Sequence, residues 1–262
     1  MSNTDLDRLT GHLNQLGPVA VAVSGGVDSI TLAVLAHRLF PGRCEIFHAV
    51  SPAVPPEATH RVRSYASREH WSLRVIDAQE FEDENYLSNP ARRCYFCKTN
   101  LYGTIAAHTG MTIASGTNLD DLQDFRPGLS AAEEHDVVHP YVAAQIRKTA
   151  VRGIAASLGL TDVAELPAGP CLASRVETGL LIEADSLGKV NNIENKLTEL
   201  LQPSVVRCRV RHEGIVVELD DTTLGALTAS QRAQIRAHVV AAWPDRPMRI
   251  ARYHQGSAFL RQ

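Results

Sequence analysis

Val19-Ala20-Val21-Ala22-Val23-Ser24-Gly25-Gly26-Val27-Asp28-Ser29 decides how this chain is read. The leading apolar run has the character of a strand buried on both faces. The apolar-periodic stretch from Ile30 to Phe40 behind it reads as a helix. A strand that turns through glycines into a helix leaves unpaired backbone N–H groups at a positive helix end, where phosphate is the natural ligand. Gly25 and Gly26 permit positive φ and close backbone approach. The hydroxyls of Ser24 and Ser29 can donate to phosphate oxygens, and Asp28 can hold a hydrated Mg2+. A serine-glycine turn without a ligand accounts for the glycines but not for the Asp and its flanking serines.

A chain of 262 residues has room for one large domain or an ordinary one with a smaller companion, and two are expected. A formal net charge of −3 and the lack of a long Lys/Arg run disfavour a nucleic-acid partner. No apolar run approaches the roughly 20 residues of a membrane span, and the N-terminus lacks the pattern of a secretory leader. The expected location is therefore the cytoplasm, with no membrane partner. In that reducing compartment the five cysteines are read for metal or reactive-thiol chemistry rather than for disulfides.

Working outward, Leu6, Leu9, Leu13 and Leu16 recur at helical spacing before the first strand. Strands near 18 to 23, 44 to 50, 72 to 77 and 111 to 115 alternate with helices near 28 to 40, 56 to 70 and 95 to 108, the pattern of an α/β doubly wound parallel sheet. A nucleotide belongs at the C-terminal ends of such strands. After a helix near 147 to 158, Pro167-Ala168-Gly169-Pro170 marks a boundary, giving domains of 1–168 and 169–262. The second is a smaller C-terminal α+β domain: a helix over Leu181 to Leu201, paired strands Val205 to Val210 and Ile215 to Leu219, a helix from Ser230 to Ala242 and a short last strand near 248 to 252.

Several groups bear chemistry. His48-Ala49-Val50-Ser51-Pro52 ends the second strand and offers a backbone edge for reading adenine, or is an ordinary strand end stopped by proline. Ser115-Gly116-Thr117-Asn118-Leu119-Asp120-Asp121 follows the fourth strand, with Asp120, Asp121 and Asp124 spaced to share one Mg2+ shell. A departing pyrophosphate needs that metal together with fixed cations, for which Arg126, Lys148 and the turn at Gly128 are candidates. Asp120 as a solvated loop carboxylate and Lys148 as the start of an exposed helix are the plainer readings. Cys94 and Cys97 form a C-x-x-C at a helix start, and Cys171 lies in a rigid turn beside Arg175. Three thiols with one open position suit a [4Fe-4S] cluster better than a closed zinc site, with zinc, redox and inert thiols left as alternatives. Cys44 and Cys208 read as strand core. Arg207, Arg209 and Arg211 alternate on one strand and share a face, suited to a carboxylate or phosphate or else to pairing with Glu213 and Glu218.

The glycine loop has no lysine after it and so is not G-x-x-x-x-G-K-[ST], nor is it G-x-G-x-x-G. It resembles the PP-loop. Over most of its length the chain resembles the LarE-type sulfur transferases of the PP-loop (adenine nucleotide alpha hydrolase) superfamily. The likeness rests on Ser24 to Ser29, His48 to Pro52, Asn89-Pro90 through Cys94 and Cys97, Gly116 to Asn118 through Asp124, Arg126 and Gly128, Pro170 to Arg175, and Arg207 with Arg209. The resemblance implies a Rossmann-like ATP-binding and adenylylating domain followed by an acceptor-binding and sulfur-transfer domain. It further implies that ATP and Mg2+ activate a carboxylate on a small acceptor, and that Cys171 delivers sulfur. Sulfur comes either from the cysteine itself, leaving dehydroalanine, or through a [4Fe-4S] cluster on Cys94, Cys97 and Cys171, the version preferred for a chain with all three thiols. Ser24, Gly25, Gly26, Asp28, Ser29, His48, Ala49, Ser51, Gly116, Asn118, Asp120, Asp124 and Arg126 would contact nucleotide or Mg2+, with Asp28, Lys148 and Cys171 catalytic and Arg175, Arg207 and Arg209 on the acceptor. A homo-oligomer is expected.

The chain departs from the family in reading Val176-Glu177-Thr178-Gly179 after Arg175, Asn191-Asn192-Ile193-Glu194 for an acid-rich helix, and Arg211 where His is usual. These changes bear on the acceptor more than on activation. A tRNA thiolase, an amidating ligase and a non-catalytic nucleotide sensor are the alternatives.

Overall fold

The computed structural model of the chain describes residues 4–123 and 126–254. The chain divides into two compact units, Met1–Asp83 with Cys94–Gly169, and Glu84–Arg93 with Pro170–Gln262. In the first, α1 (Thr4–Leu16) buries Leu9 and Leu13 completely and packs Leu6 on the core, while Leu16, which shares their spacing, is 40% exposed in the last turn. The chain then runs through β1 (Ala20–Ala22), α2 (Val27–Leu39), β2 (Glu45–Ala49), α3 (Pro56–Glu69) and β3 (Ser72–Ile76). A short helix α4 (Glu84–Leu87) belongs to the second unit, and α5 (Arg93–His108) returns the chain to the first. There follow β4 (Ile113–Ser115), α6 (Gly128–Glu134), α7 (Pro140–Ala143), α8 (Lys148–Ser157) and α9 (Thr161–Ala164).

All pairings in this sheet are parallel and the strand order is β3-β2-β1-β4. From β1 the chain builds outward through β2 and β3, then crosses back to place β4 on the other side of β1. The reversal creates a topological switch point between β1 and β4, the place where open α/β sheets take their ligands. Helix α2, which leaves β1 at that point, buries Ile30 through Ala36 without interruption. A helix apolar on every side is a central one, and its start is thereby fixed against the sheet.

In the second unit α10 (Ala184–Leu201) is followed by β5 (Val206–Arg211), β6 (Gly214–Leu219), α11 (Asp221–Ala226), α12 (Ala229–Ala242) and β7 (Met248–Arg252). β5 and β6 form an antiparallel hairpin and β7 joins β6 in parallel. The helix expected from Leu181 begins three residues later, at Ala184. The residues before it form a turn tied to residues 87–89 instead: Ile182 N–H donates to Leu87 O (2.9 Å) and Gly179 N–H to Asn89 O (3.0 Å). Asn89, fully buried at φ +52°, returns its side-chain N–H to Glu177 O at 2.9 Å. These bonds bring residues 84–93 into the second unit, although they precede the fourth strand of the first.

Candidate active site

The turn after β1 is shaped by backbone proximity. Gly25 sits at φ +86°, and a Cβ there would stand 2.8 Å from the Ala58 carbonyl oxygen on α3. Arg61, also on α3, donates to Gly25 O at 2.8 Å. The Ser29 hydroxyl accepts from Ser24 N–H (3.1 Å), lies 3.2 Å from the Ser24 hydroxyl and reaches Gly26 O at 3.2 Å. Ser29 is thus a staple within the turn, whereas Ser24 is exposed. From the far side of the switch point Gly116 closes in: a Cβ there would lie 2.9 Å from Ser29 N and 3.0 Å from the Asp28 carbonyl carbon.

Asp28, in the first turn of α2, is the charged centre of this corner. Its carboxylate pairs with the Lys148 ammonium and accepts from Asn118 Nδ2 at 3.2 Å, while its backbone carbonyl accepts from the Tyr141 hydroxyl at 2.9 Å. Lys148 opens α8, and its backbone N–H donates to Asp120 at 2.9 Å. Two carboxylates therefore draw this lysine to the loop by its two ends. Tyr141 carries no sequence motif; burial, and then Asp28, push its hydroxyl well above the usual range, so it serves as a neutral donor.

The other expected ligands have the following partners. Asp120 receives Arg147 (2.8 Å) together with the Lys148 amide and so caps α8, while Asp121 receives Asn118 N–H (3.0 Å) and pairs with Arg126 (2.6 Å). Both carboxylates accept from protein donors, and Asp124 lies outside the described residues. The Gly128 turn packs on Lys98, whose Cγ would be 2.9 Å from an added Cβ. His48, expected at the nucleotide, turns its ring inward to Val23 O (2.8 Å) and the Thr59 hydroxyl (2.9 Å). A carbonyl only accepts, so Nδ1 donates and Nε2 takes the Thr59 proton. Ala49 and Ser51 are half-buried at the end of β2, and the Ser51 hydroxyl accepts from Ala53 N–H at 3.3 Å.

In the second unit Cys171 is exposed at the head of a 3-10 turn, Leu172–Arg175. Arg175, expected to meet the acceptor, is 4% exposed and its donors are engaged. Nε and Nη2 take both oxygens of Glu194 (3.0 and 2.8 Å), and Nη1 reaches the carbonyls of Pro170 (2.8 Å) and Cys171 (3.2 Å) and the Ser174 hydroxyl (3.0 Å). Arg209 is similarly placed, with Nε on Glu218 (2.9 Å) and Nη1 on Ser174 O (3.0 Å), and Arg211 binds the other Glu218 oxygen at 2.8 Å. Arg207 is half-buried over the Tyr253 ring, and burial, then the Arg175 charge, lower its pKa. Cys94 and Cys97 occupy the first turn of α5 with half-buried thiols. Cys44 and Cys208 are buried as expected, and burial pushes the Cys208 thiol up. Among the described residues no group of three or more His, Cys, Asp or Glu is arranged to hold a metal ion, and no helix is long and apolar enough to cross a membrane.

No family model matches the chain. It is 32% identical over 239 residues to an uncharacterized protein of Synechocystis sp., covering 87% of this chain and 89% of the relative. An uncharacterized protein of Methanocaldococcus jannaschii is 26% identical over 207 residues, 78% of each chain. Pyridinium-3,5-bisthiocarboxylic acid mononucleotide synthase of Lactiplantibacillus plantarum is 28% identical over 223 residues, covering 83% of this chain and 80% of that one. The likeness to this synthase over four fifths of both chains supports the resemblance to the LarE-type sulfur transferases.

In this chain both the glycine turn and the thiol turn are held by partners within their own units. Gly25→Ala should cost about 2 to 4 kcal/mol, because it combines left-handed strain with a clash against backbone that has no room to move. A fall in the urea midpoint measures it, and unchanged stability would contradict the close packing. A second expectation concerns pH. Burial holds His48 and His139 below their ordinary value of 6.5. Their contribution to stability is complete above about pH 6.5 and is lost as the pH falls below it toward the lowered folded values. Melting temperature should drop between about pH 7 and pH 5, and His48→Gln should flatten that drop.

Proposed function

We propose that the chain is an ATP-dependent sulfur transferase that activates a carboxylate of a small acceptor as its adenylate and replaces AMP with sulfur delivered through Cys171. The observation that carries the proposal is the lysine held on Asp28 at the first turn of a buried helix, beside a turn closed to side chains by the Ala58 carbonyl. A positive helix end and a fixed ammonium favour a polyphosphate and stabilise pyrophosphate as it departs. Ser24, Gly25, Gly26 and Ser29 would bind the phosphates, with Gly116 and Asn118 closing the corner. Asp28 is the oxygen donor that would hold the Mg2+ of the nucleotide, which when bound adds charge neutralisation at the leaving group.

An acceptor carboxylate oxygen forms a bond to the α-phosphorus as the bond to pyrophosphate breaks. A sulfur nucleophile then attacks the acyl carbon and AMP leaves. Cys171 suits the second step because its thiol is exposed while its loop is tied down by buried groups. Arg207, half-buried and beside other guanidiniums, would anchor an anionic group of the acceptor. The reading keeps nucleotide chemistry on the first unit and the thiol on the second. The cluster version of sulfur supply, a [4Fe-4S] centre on Cys94, Cys97 and Cys171 that when bound supplies sulfide, rests on the resemblance and not on an assembled ligand set, since among the described residues no such group of ligands stands together.

Cys171→Ala should keep ATP cleavage, read as pyrophosphate release with the acceptor present, and lose thiolation. Disappearance of both in a folded variant would contradict the division of labour. Anaerobic reconstitution should give about four irons per chain and fail in the Cys94→Ala/Cys97→Ala variant. With no iron uptake, the cysteine's own sulfur is the source, and mass spectrometry after turnover should then show loss of one H2S from Cys171.

A further inference from the structure

We infer that Glu194, on α10, is a positioning residue for sulfur transfer: by holding Arg175 bidentately it fixes the carbonyls of Pro170 and Cys171, and with them the direction in which the exposed thiol is presented. The inference rests on the reading that Cys171 carries the sulfur. A four-residue 3-10 turn is weakly specified by its own backbone, and this one buries all four residues while leaving Cys171 at its head exposed. Here it is specified from below. The Arg175 guanidinium is planar, so committing Nε and Nη2 to the two oxygens of Glu194 leaves Nη1 aimed away, where it meets Pro170 O, Cys171 O and the Ser174 hydroxyl.

Glu194 is itself immobilised. It is 7% exposed, and its Oε1 also accepts the backbone N–H of Cys208 on β5 at 2.8 Å. One carboxylate therefore joins helix, strand and thiol turn. A second tie of the same construction acts at the other end of the turn, where Arg209, oriented by Glu218, donates to Ser174 O. A lysine at 175 would keep the charge but could not span a carboxylate and two carbonyls with a rigid fork.

The test compares Glu194→Gln and Arg175→Lys with Leu197→Ala, a fully buried position on the same helix without polar contact to the turn. Both lock variants should slow single-turnover sulfur transfer by about 10- to 100-fold, the effect of a small misplacement of a reacting group. Pyrophosphate release should keep its KM for ATP, and amide exchange over residues 170–176 should quicken. Leu197→Ala should lose melting temperature yet transfer sulfur at the wild-type rate. Should Glu194→Gln not fold, Arg175→Lys, which retains the buried charge pair, decides the matter. Lock variants that transfer at the wild-type rate, or a Leu197→Ala that slows transfer as much as they do, overturn the inference. Sulfur transfer that survives in Cys171→Ala would instead defeat the functional reading beneath it.

Discussion

At Gly25 a side chain would run into the Ala58 carbonyl, and at Gly116 into the backbone of Asp28 and Ser29, so the loops after β1 and β4 close on the first turn of α2 at backbone distance. The remaining features of the corner depend on that approach. It brings Asn118 within hydrogen-bond reach of Asp28, and the Asp120 contact to the α8 amide sets Lys148 on the same carboxylate. The switch point explains why these particular loops meet: β4 pairs with β1 on the side opposite β2, so the chain segments leaving β1 and β4 emerge as neighbours. Under the proposed function, a pre-formed corner would have its groups already oriented when charge develops on a leaving group, where fixed dipoles and cations act most strongly.

The second unit carries the exposed Cys171 at the head of a turn whose other residues are buried. Two buried Arg–Glu pairs, Arg175 with Glu194 and Arg209 with Glu218, each also donate to main-chain carbonyls of that turn. Buried ion pairs contribute little net stability relative to apolar packing, yet losing one partner costs about 3 to 5 kcal/mol because the other charge is stranded. Such pairs are therefore poor fillers and good rulers. Arg207, strand neighbour of Arg209, keeps a different environment, half-buried over Tyr253.

Legibility in the sequence follows the range of the forces. The parallel strands, the central helix and the C-terminal hairpin are visible because apolar runs, period and glycine turns are local signals. Leu16 shows the limit of that reasoning: its spacing matches Leu9 and Leu13, but it lies in the last turn and stays exposed. The candidate site was legible as a set of residues and much less so as a set of contacts. Asp120, Asp121 and His48 have the right chemistry for a nucleotide, and the fold gives each a protein partner that spacing does not reveal. Tyr141 carries no motif, Glu194 figures only in a stretch that departs from the family's acid-rich helix, and the position of their partners gives both a task.

What the sequence determined by itself is the α/β order of elements, the glycine turn that must admit close backbone approach, and the three thiols available for sulfur chemistry. The tertiary structure alone decided which carboxylate Lys148 meets, that Arg175 and Arg209 face inward to glutamates, and that residues 84–93 pack with a unit they precede by about eighty positions. The physical reason is that backbone conformation is set by neighbours in the chain, whereas the partner of a charged side chain is whichever opposite charge the fold brings within a few ångströms. That separation in space leaves no trace in spacing along the sequence.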